Sequence, residues 1–279
     1  TKSFIKNSSF FPNNLIAGSG DQIFRSNSDR PVMFEYGIRL DGISKVVISY
    51  NTFNAATRIV NLQNSTSYNF FDESLRGIGI TSSNSVIYAH HNQFNDLRFG
   101  IKANNNYSLF KQTTIVSNKF DMTLFGLTGN LSYAKIDSNN FIIPQGLIDT
   151  VNIPVGSSKY PYGIYLDNSH TFTLQKDTFS TNVLGGGNGG DPGIQSVQAL
   201  PEHTSYGLII KNSGNIGGEV KDNCWFKGLN IATQTEQNNP NLQIRCNKYE
   251  NNNIAWRVNP LSTTGILGNQ GTSCAAFPS

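Results

Sequence analysis

The sequence has 279 residues, of which 37% are hydrophobic and only 14% are charged, and its formal net charge is +3. The small net charge and the regular recurrence of Phe, Ile, Leu and Val argue against intrinsic disorder. The shortage of charged residues argues against a coiled coil, and no stretch approaches the roughly 18 apolar residues of a membrane span. Lys and Arg are scattered without a basic run, so no nucleic-acid partner is predicted.

Two short templates recur along the chain. The first is Gly, an aliphatic residue, any residue and another aliphatic residue, an alternation that predicts a short strand with one buried face. Its copies lie at 37–40, 77–80, 100–103, 163–166, 207–210 and 228–231. The second is an aliphatic residue, two of any kind, Asn, one of any kind and an aromatic residue. Its copies, some of them loose, end at Phe53, Phe94, Phe120, Phe141, Phe179, Trp225 and Tyr249.

The spacing of these aromatic residues predicts a β-solenoid. The shortest steps are 21, 24 and 26 residues, and the longer steps of 41, 38 and 46 are two turns or one turn with an insertion. A single turn of this size cannot bury its own apolar face, whereas stacked turns at about 4.8 Å pair every strand with its neighbours above and below. We expect the 36 asparagines to serve mainly at bends, where Asn tolerates left-handed backbone and its amide can bond along a ladder.

With these repeats, nearly the whole chain resembles the right-handed parallel β-helix superfamily, which includes pectate lyases and polygalacturonases. We therefore expect an all-β, right-handed parallel β-helix of about ten turns, forming one domain over residues 1–279. Residues 244–252 and 268–274 also resemble β-helix segments of large surface proteins that Bacteroidetes secrete through the type IX system. The resemblance in fold implies an extracellular or cell-surface location. The sequence begins inside a copy of the repeat and ends without a cap, so we interpret the chain as a piece of a longer protein. The resemblance to the Bacteroidetes proteins implies a C-terminal domain that would contact the outer-membrane secretion machinery.

Insertions interrupt the period at 63–76, 149–162 and 182–206, each before a Gly–aliphatic strand, and a smaller one lies at 104–113. If the register holds, the first three project from one edge of the solenoid and wall a groove. Aromatic rings beside a groove suit the apolar faces of sugars, and the alternative is that they seal their own loops onto the solenoid. The candidate sugar-binding residues are Tyr68, Phe70, Phe71, Tyr107, Tyr160, Tyr162 and Tyr206.

Catalytic candidates follow from the chemistry that the resemblance implies. A lyase of this fold needs a base and often Ca²⁺ held by acidic residues, and a hydrolase uses clustered Asp residues. Arg39 and Lys102 fall in an outward row two residues after the template glycines, and His91 lies near Asp96 and Arg98. By alternation, only one of His90 and His91 is expected to face outward.

Metal and cysteine patterns add little to this picture. Acidic residues do not recur in adjacent turns, so we predict no metal site and no cofactor, with Ca²⁺ required only if the protein is a lyase. Cys224 and Cys246 are 22 residues apart, about one turn, but their offset from the template Asn differs. Their pairing in a disulfide is left open.

These observations favour a non-enzymatic, rigid module of a secreted or surface-attached bacterial protein. It would act as a stalk, like that of an adhesin, or as a surface that contacts a polysaccharide. One alternative is a polysaccharide lyase or related enzyme. Another is a secretion passenger that binds no glycan.

Overall fold

The computed structural model describes residues 3–10, 36–43, 45–54, 77–105, 112–144, 160–182 and 205–259. Within these ranges the chain forms 24 strands and no helix. The strands are arranged in three sheets of eight strands each. The predicted ten or so turns span the whole chain, whereas the described residues supply eight strands to each sheet.

The three sheets run side by side along the molecule and are called sheets A, B and C. Sheet A contains β1 (Ser3–Lys6), β4 (Val46–Ser49), β7 (Ile87–His90), β10 (Thr113–Val116), β13 (Tyr133–Asp137), β16 (Thr171–Gln175), β19 (Gly217–Lys221) and β22 (Leu242–Ile244). Sheet B contains β2 (Ser9–Phe10), β5 (Thr52–Asn54), β8 (Gln93–Asn95), β11 (Lys119–Asp121), β14 (Asn140–Pro144), β17 (Thr178–Asn182), β20 (Trp225–Lys227) and β23 (Lys248–Glu250). Sheet C contains β3 (Tyr36–Asp41), β6 (Ile78–Ser83), β9 (Phe99–Asn105), β12 (Phe125–Leu131), β15 (Tyr162–Asp167), β18 (Tyr206–Lys211), β21 (Ile231–Glu236) and β24 (Ile254–Asn259).

The chain passes through sheets C, A and B in turn, and each strand pairs in parallel with the equivalent strand one turn later. This is a parallel β-helix, as predicted. Ile5 pairs with Ile48, which pairs with Ala89. Ile136 likewise pairs with Leu174. The long steps are therefore single turns that contain insertions, which decides between the two alternatives that the spacing allowed.

The insertions share one corner of the helix. Four stretches outside the described residues each follow a strand of sheet B and precede a strand of sheet C: 11–35, 55–76, 145–159 and 183–204. The three predicted large insertions thus leave and rejoin the helix at the same edge. The smaller one, predicted at 104–113, lies between sheets C and A and so belongs to another corner.

The interior contains a continuous stack of aromatic rings. Neighbouring rings lie 4.5 to 5.1 Å apart between centroids, with interplanar angles of 3° to 10°. The stack runs through Phe53, Phe94, Phe120, Phe141, Phe179, Phe226 and Tyr249. The template placed Trp225 in this stack, which is wrong by one residue. Both Asp222 and Asn223 have positive φ, so the bend before β20 contains one extra left-handed residue.

A row of glycines lies beside this stack and makes room for it. A Cβ atom added at Gly100 would lie 2.5 Å from Cδ1 of Phe120 and 2.7 Å from the carbonyl oxygen of Gly126. Equivalent contacts occur at Gly37, Gly79, Gly126, Gly163 and Gly207. Four of the six template glycines, Gly37, Gly100, Gly163 and Gly207, therefore mark positions where the ring and the neighbouring backbone leave no space for a side chain.

A ladder of buried asparagines fastens the bend between sheets A and B. Oδ1 of Asn92 accepts hydrogen bonds from the backbone nitrogen and from Nδ2 of Asn51, each 3.0 Å long. Nδ2 of Asn92 donates to the carbonyl of Ile48 at 2.9 Å. The same pattern continues through Asn118 and Asn139. These asparagines serve the bend, as predicted.

The left-handed residue at this bend is the one that precedes the ladder position, not the asparagine itself. The φ angles at these positions lie between 54° and 56°. The residues are Tyr50, His91, Ser117, Ser138 and Lys176. Such a conformation costs a non-glycine residue about 1 kcal/mol or more, and the ladder hydrogen bonds offset that cost.

Asp177 occupies the ladder position after Asn139. Its Oδ1 accepts from the backbone nitrogen and Nδ2 of Asn139, both at 2.8 Å, whereas its buried Oδ2 has no hydrogen-bond partner. In an asparagine this second atom would be a nitrogen that donates to a carbonyl. A protonated carboxyl restores that donor, and burial raises the pKa of Asp177 to about 8. Asp177 thus acts as a neutral acid in place of asparagine.

Replacing Gly100 by Ala should destabilise the helix by about 1–3 kcal/mol, because the new methyl group overlaps a ring and a backbone oxygen that cannot both move away. Gly217→Ala is the matched control, since a Cβ there would have no heavy atom within 4 Å. Urea unfolding measures both variants. Equal midpoints for the two variants would contradict the packing role of the glycine row.

Replacing Asp177 by Asn should remove a pH-dependent loss of stability. Between about pH 4 and pH 8 the folded chain keeps a proton on Asp177 that the unfolded chain releases, so wild-type stability falls as pH rises across this window. Besides Asn139, the charge of Asp137 and a hydrogen bond with the backbone of Gln175 influence this pKa. At pH 9 the variant should be more stable by on the order of a few kcal/mol, and at pH 4 the two proteins should converge.

The control for this measurement is Asp121→Asn, which changes a partly exposed carboxylate paired with Lys119 at 2.7 Å. Its effect should stay within about 1 kcal/mol at both pH values. An Asp177→Asn effect of the same size at pH 4 and pH 9 would show that the native carboxyl is ionised throughout.

Candidate functional site

The predicted catalytic residues Arg39 and Lys102 lie on the outer face of sheet C. They share a row, with Thr81 between them, so they are two strand spacings apart. The row continues through Thr128, Tyr165, Ile209, Gln234 and Arg257. The sequence placed Gly79 and Asn230 in this row, which is wrong. Gly79, not Gly77, is the template glycine of its turn, and Ala232 takes the glycine position in the turn where Gly228 was expected.

Charged side chains also align in adjacent turns of this sheet. The template spacing aligned Asp167 with Lys211, and the corrected register adds Glu236. Asp167 pairs with Lys211, and Lys211 pairs with Glu236. Nζ of Lys211 lies 3.7 Å from Oδ2 of Asp167, and the hydroxyl of Tyr165 donates to the same oxygen at 3.4 Å. Burial, followed by the charges of Asp167 and Glu236, raises the pKa of Tyr165. The phenol therefore remains protonated, and the lysine lies between two carboxylates.

Two of the predicted sugar-binding residues are buried on this face. Tyr162 is 3% exposed and Tyr206 is 8% exposed, in a cluster that also includes Phe125 and Ile209. The hydroxyl of Tyr162 lies 2.7 Å from Oγ1 of Thr128, and Tyr160 packs against the cluster. The described structure gives these rings a packing role, and sugar stacking by them stays a prediction. The other candidates, Tyr68, Phe70, Phe71 and Tyr107, lie outside the described residues.

Exposed aromatic rings gather instead on the outer face of sheet A and at the bend beside it, in the turns of its first three strands. Phe4 is 65% exposed, Tyr50 is 50% exposed and Tyr88 is 38% exposed. Two histidines and a lysine lie among them. We call this group the tyrosine–histidine surface, and its members are Phe4, Lys6, Tyr50, Tyr88, His90 and His91.

Four rings of this surface, those of Tyr50, Tyr88, His90 and His91, form a connected group. Tyr50 stacks on His91 with centroids 5.0 Å apart and an interplanar angle of 15°. Tyr88 lies 4.6 Å from His90, tilted by 30°. Nδ1 of His90 and Nδ1 of His91 are 3.0 Å apart, so one ring donates a hydrogen bond to the other. Nζ of Lys6 lies 5.5 Å from the centroid of Tyr50.

The expectation that only one of the two histidines faces outward is wrong. His90 ends β7 and is partly exposed, whereas His91 follows in the left-handed bend with φ of 55° and is exposed. Burial, then His91 and then Lys6, lower the pKa of His90, so its imidazole is neutral at pH 7. Asn92 and the three residues of β8 separate His91 from Asp96, and the strand alone spans about 10 Å. These two residues therefore occupy different corners of the helix.

The sequence contained a signal for Tyr50 and Tyr88 that the templates did not use. Tyr50 directly precedes a ladder asparagine, at the exposed bend, and Tyr88 alternates with the inward residues Ile87 and Ala89. Both positions project from the helix once the register is known. The arrangement can present ring edges, phenol hydroxyls and imidazole nitrogens to a polar ligand.

The cysteines show one disulfide and one free thiol. Cys224 is buried and free, and burial raises the pKa of its thiol. Cys246 is disulfide-bonded, so Cys224 and Cys246 are not paired with each other, which decides the question that their spacing left open. The third cysteine of the sequence, Cys274, lies outside the described residues.

Metal ligands are sparse in the part of the chain that the structure describes. No group of three or more His, Cys, Asp or Glu side chains there could hold a metal ion. Within the same ranges, no helix has the length and apolar character needed to cross a membrane.

Comparisons with known proteins return no relative. No family model matches the chain, and no curated protein and no solved structure is significantly similar to it.

The cysteine assignment predicts a definite thiol count. Without reductant, a thiol reagent should label no cysteine in the native protein, because Cys224 is buried, and one thiol per chain in denaturant. After reduction it should label all three cysteines. Three reactive thiols in denaturant before reduction would contradict the disulfide, and Cys224→Ser should abolish the single label.

Proposed function

We propose that this chain is a rigid, non-catalytic β-helical module of a secreted or cell-surface bacterial protein, and that it contacts a polysaccharide through the tyrosine–histidine surface. The observation that carries the proposal is the exposure of Phe4, Tyr50 and Tyr88 beside Lys6 and the two histidines. Aromatic faces and edges suit the C–H surfaces of sugars, and polar tips beside them can bind hydroxyl groups.

Rigidity is supported by the interior of the helix. The stacked rings and the asparagine ladder repeat at every turn between β5 and β17. Close-packed interiors of this kind resist deformation. A straight, stiff face with exposed rings suits an extended polymer better than a compact small molecule.

A secreted location is supported by the disulfide of Cys246, because such bonds persist mainly in oxidising compartments. The resemblance of residues 244–252 and 268–274 to Bacteroidetes surface proteins supports the same location and suggests export through the type IX system. Contact with the outer-membrane secretion machinery is part of this proposal.

The competing function is a polysaccharide lyase or related enzyme that uses the outer face of sheet C. The observation in its favour is the row that contains Arg39 and Lys102, together with a second row two residues further along each strand, in which the charges of Asp167, Lys211 and Glu236 alternate. The close pairing of Lys211 with Asp167 argues for an ion pair in that row over a free base.

The binding proposal predicts that wild-type protein binds at least one glycan in a panel of neutral and acidic polysaccharides. The Tyr50→Ala, Tyr88→Ala double variant should bind that glycan roughly tenfold more weakly or worse, since aromatic contacts contribute about 0.5–1.5 kcal/mol each. Tyr133→Ala is the matched control, because Tyr133 is partly exposed on the same sheet three turns from Tyr50.

Isothermal titration measures these affinities, and ultraviolet absorbance of unsaturated products tests for lyase activity on pectate, alginate and glycosaminoglycans with and without Ca²⁺. Absorbance that rises in wild type and disappears in Arg39→Ala or Lys102→Ala would overturn the non-catalytic assignment. Failure of the wild type to bind any glycan would leave only a stalk or secretion passenger.

A further inference from the structure

The two histidines of the tyrosine–histidine surface hold two nitrogen atoms at a separation that suits a metal ion. Nδ1 of His90 and Nδ1 of His91 are 3.0 Å apart. Imidazole nitrogens bind divalent metals at about 2.0–2.1 Å, so two of them at a right angle lie about 2.8–3.0 Å apart, and at a tetrahedral angle about 3.3–3.4 Å. The observed distance therefore fits a right angle.

We propose that His90 and His91 form the protein half of a surface site for a divalent metal with square or tetragonal geometry, and specifically for Cu²⁺. A right angle between adjacent nitrogen ligands is the arrangement that Cu²⁺ and Ni²⁺ prefer, and Cu²⁺ binds nitrogen ligands more tightly than Ni²⁺ or Zn²⁺ does. Water or a ligand of the protein's partner completes the coordination on the exposed side of His91.

Both rings are fixed in place before any metal binds. Tyr50 stacks on His91, and Tyr88 packs against His90. The backbone of His90 is held in β7, and that of His91 in the left-handed bend before the ladder residue Asn92. A pair of ligands that is already oriented loses less conformational freedom on binding than two free side chains do.

Metal binding at this pair requires one imidazole proton to change its position. In the hydrogen bond between the two imidazoles, one Nδ1 carries the hydrogen and the other accepts it. Metal binding requires both Nδ1 lone pairs, so the donor ring moves its proton to Nε2, and no net proton is released. Protons compete with the metal for these nitrogen atoms, so affinity falls as the pH is lowered.

Lys6 opposes the metal. Its charge is one of the groups that disfavour a second positive charge at His90, and its Nζ lies near Tyr50 on the same surface. Tyr50 and Tyr88 are the titratable neighbours that contact these rings, from the bend after β4 and from β7, and Lys6 of β1 lies over the ring of Tyr50. Two protein ligands beside a lysine predict a micromolar rather than a nanomolar site.

The test is titration of the purified chain with Cu²⁺ at pH 7.5, in which calorimetry measures the affinity and electron paramagnetic resonance identifies the ligands. Wild type should bind one Cu²⁺ with a signal split by two nitrogen ligands. His90→Gln and His91→Gln should each weaken binding at least tenfold and leave at most one of these nitrogens. His170→Gln is the matched control and should bind as wild type does.

Two further measurements separate this site from other sources of copper binding. Lys6→Ala should bind Cu²⁺ several-fold more tightly, whereas a site elsewhere on the chain would not respond. Zn²⁺ should bind more weakly than Cu²⁺. Copper binding that is unchanged in the His90→Gln, His91→Gln double variant would overturn the proposal, and Zn²⁺ binding as tight as that of Cu²⁺ would overturn the tetragonal geometry. Neither result depends on glycan binding, which the Tyr50 and Tyr88 variants test separately.

Discussion

The structure depends on one constraint, which is that each backbone position pairs with the same position one turn away. Parallel pairing in register places equivalent residues about 4.8 Å apart along the molecule. Each side chain then lies between the equivalent side chains of the turns above and below it. Flat rings stack at this spacing, as Phe94 does between Phe53 and Phe120. Side-chain amides form a chain of hydrogen bonds from turn to turn. Asn92, for example, accepts a hydrogen bond from Asn51 and donates one to Asn118. The repeated sequence is a consequence of this geometry.

The same constraint explains which substitutions the ladder accepts. The position requires an acceptor atom that faces one neighbour and a donor atom that faces a carbonyl. Asn supplies both, and Asp177 supplies both only when it is protonated. Cys224 occupies this position in the next turn, and its thiol is only a weak donor and a weak acceptor. Its backbone nitrogen still donates to Oδ1 of Asn247 at 3.2 Å. The ladder therefore continues past an imperfect member because the backbone keeps its own bonds.

Much of the fold could be predicted from the sequence because the packing motifs are local. Isoleucine, asparagine and phenylalanine recur at fixed offsets, and those offsets gave the sheets and the interior stack. The register could not be predicted where glycine occurs twice, at Gly77 and Gly79, or where alanine replaces it, at Ala232. An extra left-handed residue before Trp225 also moved the inward ring by one position.

The candidate site was less predictable than the fold, because exposure depends on register and on the direction of the bend. Alternation assumes a continuous strand, and the strand ends at His90. The left-handed backbone at His91 redirects its side chain, so two consecutive histidines share the outer surface. The sequence pattern alone does not distinguish two exposed histidines from one exposed and one buried histidine. The exposure of Tyr50 was likewise not predicted, because Tyr50 lies at a variable position of the repeat, between an isoleucine-containing strand and an asparagine.

The direction of the hydrogen bonds between turns has a mechanical consequence. In all three sheets these bonds run along the long axis of the helix, because each joins a strand to its equivalent in the next turn. Tension applied along that axis would load all the bonds of one turn at once, across three sheets and the asparagine ladder. Separation of two turns would then require many bonds to fail together. A stack of turns joined in this way transmits force between its two ends with little extension.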